Sequence, residues 1–71
     1  MFDKKTFYRT ISKKGMSVIK LAETLNMHQS TLFRKVKGES EFTRAEMQDI
    51  RDALSISQTE LDAIFFADRF A

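Results

Sequence analysis

Ser17-Val18-Ile19-Lys20-Leu21-Ala22-Glu23-Thr24-Leu25-Asn26-Met27-His28-Gln29-Ser30-Thr31-Leu32-Phe33-Arg34-Lys35-Val36-Lys37-Gly38 is the stretch that decides how this chain folds. Val18, Leu21, Ala22 and Leu25 recur at the i, i+3, i+4, i+7 spacing of one helix face. Ser17, just before them, is a residue type whose hydroxyl caps helix N-termini. Asn26 breaks the stripe, and after glycine asparagine best tolerates the left-handed backbone of a sharp turn. A second helix is expected from about Gln29 to Lys37, closed by Gly38, with Leu32 and Val36 inward and Met27 packing from the turn.

The same signals extend outward from this pair. Asp3 can cap a first helix, with Phe2 and Phe7 spaced as a hydrophobic staple around it. Phe7 and Ile11 share a face with Tyr8 beside them, and Gly15 ends the helix after Lys13 and Lys14, whose charges suit a C-terminus. Thr43-Arg44-Ala45-Glu46 reads as a capping box before Met47, Ile50, Ala53 and Leu54. Ser57-Gln58-Thr59-Glu60 is a second box, before Leu61, Ile64 and Phe65. No segment alternates with period two. The expected fold is all-α: one compact domain over residues 1–71, built from five short helices.

Composition narrows the functions open to such a domain. The chain has 71 residues, no cysteine, no proline and one histidine, His28. Cores of this size usually need disulfides, a metal or regular helix packing. Cysteine is absent and His28 stands alone, so helix packing or self-association is left, and no metal or cofactor is expected. There is no cysteine nucleophile, glycine-rich phosphate loop or histidine pair, so neither catalytic residues nor a small-molecule ligand are expected. Met1 to Lys5 has no apolar core behind it, unlike a signal peptide, and the longest apolar run, Ala63 to Ala67, is far too short for a membrane span. A soluble cytoplasmic protein is expected.

Charge is unevenly distributed. Through Gly38, nine basic residues face two acidic ones, a net of +7; from Glu39 onward three face eight, a net of −5. A basic half joined to an acidic half is the pattern of a surface that meets a polyanion on one side. A solvated surface with an accidental asymmetry fits the charge count equally well.

Residues Ser17 to Gly38 resemble the helix-turn-helix of the Cro/repressor (XRE) family. The resemblance rests on Ser17, Leu21-Ala22, Asn26-Met27, Gln29-Ser30-Thr31-Leu32 and Gly38, and on the tail Leu54-Ser55-Ile56-Ser57 followed by Leu61. The small Ala22 suits a close helix crossing, with Met27 and Leu32 filling the wedge. Three positions depart from the family. Asn26 stands where glycine is usual, His28 where a serine or threonine cap is usual, and Val18 where a glutamine often touches phosphate. The resemblance implies a small bacterial or phage transcriptional regulator, in the bacterial cytoplasm or nucleoid, binding double-stranded DNA. It places the second helix in the major groove.

On that reading Gln29, Ser30, Phe33 and Arg34 are the candidate base contacts. Gln29 suits an adenine, Arg34 a guanine or a phosphate, and Phe33 either meets thymine methyl groups or caps the edge of the core. Ser17, Lys13, Lys14, Lys20, His28 and Lys37 are the candidate phosphate contacts, while Lys35 leans toward the core side with its ammonium snorkelling outward. Ala63, Phe66, Ala67 and Phe70 recur as a second apolar stripe on the last helix, a candidate dimer interface. Alternatively Phe66 folds back onto the first helix and Phe70 frays. A protein-binding adaptor or inhibitor that reuses the fold is the alternative function.

Overall fold

The computed structural model describes residues 1–70, with side chains as far as Asp68. Five α-helices follow one another: α1 Lys4–Lys13, α2 Val18–Thr24, α3 Gln29–Lys37, α4 Arg44–Leu54 and α5 Gln58–Phe65. A 3-10 turn, Ala67–Phe70, follows, and the described residues contain no strand. None of these helices is long and apolar enough to cross a membrane.

Local chemistry sets the helix boundaries. Asp3 accepts the Thr6 N–H, Ser17 the Lys20 N–H, Thr43 the Glu46 N–H and Ser57 the Glu60 N–H. Both capping boxes close reciprocally, with Glu46 and Glu60 accepting the backbone N–H of Thr43 and Ser57. Each cap satisfies donors that a helix start leaves orphaned, worth about 1 kcal/mol. Gly38 ends α3 with φ +89°, a backbone that L side chains rarely adopt.

The five apolar faces meet in one core. Phe7, Leu21, Leu32, Ile50, Leu54 and Ile64 are its largest fully enclosed side chains, and no polar side chain is buried among the described residues. Burying each of these side chains stabilises the fold by roughly 1.5–3 kcal/mol. α2 packs on α3 and α4, and α5 packs on α1 and α4. An aromatic cluster closes one end. Phe2 lies 5.4 Å from Phe7, 5.3 Å from Phe42 and 5.3 Å from Phe65, measured between ring centroids. The staple is therefore present, but Phe42, from the α3–α4 loop, is an addition that local spacing does not announce.

The end of the chain departs from expectation. α5 stops at Phe65, and Phe66 has φ −131° and ψ 44°, outside the helical range. Ala63, Phe66, Ala67 and Phe70 therefore do not form one helical stripe. The partners here are tertiary: the Asp3 N–H donates to the Ile64 carbonyl at 2.7 Å and the Ala67 N–H to the Met1 carbonyl at 3.0 Å, in place of bonds that a continued helix would make. Phe66 is half-buried against the core, and the side chain of Phe70 lies outside the described residues.

Candidate nucleic-acid interface

The turn between α2 and α3 sets the pose of α3. Asn26 takes φ +55°, the left-handed conformation its residue type suggested. The Met27 N–H donates to the Ala22 carbonyl at 2.9 Å, and Asn26 N–H to Glu23 at 3.1 Å. Ala22 and Leu32 are wholly enclosed, and Met27 packs half-buried against the core cluster to which they belong. A larger residue than alanine at the crossing would hold the helices apart.

With Leu32 and Val36 inward, α3 turns Gln29, Ser30, Arg34 and Lys37 to solvent. Among the described residues no carboxylate pairs with Arg34 or Lys37; the Arg34 guanidinium only grazes the Thr31 hydroxyl, at 3.5 Å. Phe33 belongs elsewhere. It is half-buried and packs against the core cluster, the second of the two roles its position allows, so it is not an exposed contact for bases.

His28 is the N-cap of α3 and is exposed, yet its side chain makes no capping bond. The other four helices have side-chain caps, so only α3 begins with uncapped N–H groups. Ser17 and Lys20 are exposed at the start of α2, although the Ser17 oxygen is already engaged by the Lys20 N–H at 3.1 Å. Lys13 and Lys14 are exposed at the end of α1 and act electrostatically on Glu60. The Ser57 backbone and hydroxyl, then these two lysines, hold the Glu60 carboxyl below its ordinary value. Part of the Lys13 and Lys14 charge is therefore answered within the protein.

Lys35 does not snorkel into water. Its side chain is only 10% exposed, and its ammonium donates to the Glu41 carbonyl at 2.8 Å and meets Glu46 Oε1 at 3.1 Å. Burial raises the Glu46 pKa, but the Thr43 N–H and the Lys35 ammonium outweigh it and leave the carboxyl below its ordinary value. Sequence reasoning saw Glu46 only as a capping-box residue. Its second role needs the loop geometry, which no local spacing encodes.

Comparison with family models, with curated proteins and with solved structures found no match to this chain. The surface chemistry of α2 and α3 has to carry the functional reading.

Proposed function

We propose that this chain is a sequence-specific double-stranded DNA-binding regulator that lays α3 in the major groove. One observation carries the reading: a helix fixed on its inner side by Leu32 and Val36 presents Gln29, Ser30, Arg34 and Lys37 outward, with neither cation paired to an acid among the described residues. Glutamine and arginine are the side chains that make bidentate bonds to adenine and guanine edges. Lys20 and Lys37 supply charge that favours phosphate without choosing sequence. The uncapped start of α3 adds N–H donors and a positive dipole end on the same helix.

A second copy belongs to this proposal for a reason of scale. A nine-residue helix is about 14 Å long and spans about four base pairs, which recur by chance about once in 256. Selective regulation then requires two such helices, about 34 Å apart on successive major grooves. The expected C-terminal stripe is interrupted at Phe66, so a contact between copies there would not be one continuous helix face. A groove of about 430 Å³ between the α3–α4 loop and the end of α5 mixes apolar walls, Phe42, Met47, Phe65 and Phe66, with the polar Lys35, Ser40 and Glu41; the adaptor stays the second reading.

Alanine substitution at Gln29 and at Arg34 tests the proposal. Each should weaken binding to the best duplex by roughly 1–3 kcal/mol, while Gln29→Ala leaves binding to random-sequence DNA nearly unchanged. Equal weakening on both DNAs would remove Gln29 as a base reader. Salt-resistant protein binding in place of DNA retention would favour the adaptor.

A further inference from the structure

Lys35 is the cation on α3 that the DNA-binding surface does not use, and its surroundings give it another task. We infer that Lys35 is a positioning residue: its ammonium is a strut that sets the roll of α3 against the α3–α4 loop and α4, and it neutralises no phosphate. The inference rests on the DNA-binding reading proposed above.

The strut joins three pieces of chain. Lys35 is on α3, Glu41 on the loop and Glu46 on α4, and one ammonium holds both of the latter, at 2.8 and 3.1 Å. Its far end is itself rigid. Glu46 Oε1 accepts the Thr43 N–H at 2.8 Å, and the Thr43 hydroxyl accepts the Glu46 N–H at 3.1 Å. Phe42, between Glu41 and Thr43, stacks on Phe2 at 5.3 Å and meets Phe65 edge-on at 5.0 Å. The loop end of the strut is thus tied to the aromatic cluster as well as to α4.

Such a tie matters because of how α3 is otherwise held. Leu32 and Val36 lie four residues apart, nearly along one line of the helix, and a line of contact resists roll poorly. Phe33 packs on one flank of that line and Lys35 stands on the other. At the outer radius of a helix, about 6 Å, a roll of about 10° moves a side-chain tip by about 1 Å. That displacement spoils the distances and angles a bidentate base contact requires.

The test replaces both ends of the strut at constant net charge, as Lys35→Met with Glu46→Gln, since glutamine also serves a capping box. The probes are the best duplex selected from a random pool by the unaltered protein and a random-sequence duplex of equal length. The paired variant should melt near the parent temperature and bind random DNA within about twofold, with an unchanged salt slope. Binding to the selected duplex should fall about tenfold, the loss of one well-made base contact. Amide exchange at residues 41–46 should accelerate. Undiminished binding to the selected duplex overturns the inference. So does a salt slope flattened by one phosphate in Lys35→Met alone, which would make Lys35 a DNA contact. If the parent protein prefers no duplex at all, the DNA-binding reading falls and takes positioning with it; faster exchange at residues 41–46 would then show that the strut still exists.

Discussion

Salt dependence can be worked out from the surface before any operator is known. The exposed cations of α2 and α3 are Lys20, Arg34 and Lys37, with Lys35 engaged by Glu41 and Glu46. Each phosphate neutralised contributes about −0.9 to the slope of log affinity against log salt; on a short random duplex, where Arg34 has no chosen guanine and meets phosphate like the two lysines, one copy should show about −2.7. Raising salt from about 50 to about 200 mM then weakens binding about 40-fold. Full use of Lys13 and Lys14 would steepen the slope to about −4.5, but their charge is partly answered by Glu60. Lys37→Ala should reduce the slope to about −1.8 and the loss over the same range to about 12-fold. Fluorescence anisotropy of a labelled duplex across a potassium chloride series reads both numbers. A slope near zero, or one that Lys37→Ala leaves unchanged, refutes the assignment of these cations to phosphate.

Two further predictions concern stability. Ser55 caps α4 with φ +52° and ψ 44°, a left-handed conformation that costs a non-glycine residue about 1–2 kcal/mol. Ser55→Gly relieves that and loses about 0.4–1 kcal/mol to the freer unfolded chain; the net gain, about 0.8 kcal/mol at mid-range, should raise the melting temperature by about 3–6 °C in calorimetry, and a fall contradicts the cap geometry. Asp3, Glu46 and Glu60 all have folded-state pKa values lowered, Asp3 chiefly by the Thr6 N–H and hydroxyl. Their contribution is therefore complete above the ordinary carboxylate range and is lost as pH falls through the lowered values. The urea midpoint should drop on acidification, less steeply in Glu46→Gln, and a midpoint indifferent to acid would contradict these bonds.

What sequence reading could reach follows from how local each interaction is. Asp3, Ser17, Thr43 and Ser57 cap helices three residues away, so residue type and spacing suffice to find them. Asn26 and Gly38 likewise announce their left-handed backbone. The outward set Gln29, Ser30, Arg34 and Lys37 follows once Leu32 and Val36 are taken as inward. Phe33, on the flank between the two faces, had two roles open, and its neighbours in the core decide it. The end of α5 is illegible because helix-forming residues continue past Phe65, while the bonds that meet them come from the distant N-terminus: Asp3 N–H to the Ile64 carbonyl and Ala67 N–H to the Met1 carbonyl. Phe42 and the Lys35–Glu46 pair were illegible for the same reason: their partners come from other elements brought together by folding.

The central claim is that this chain chooses DNA sequence through α3, and selection from a random duplex pool with the purified protein tests it most directly. Successive rounds should converge on one motif of several base pairs, repeated with two-fold symmetry if two copies bind. Arg34→Ala should relax the preference at a single position of each half-site, as expected when one side chain reads one base pair. A pool that remains random after selection, with binding that depends on salt alone, contradicts the account.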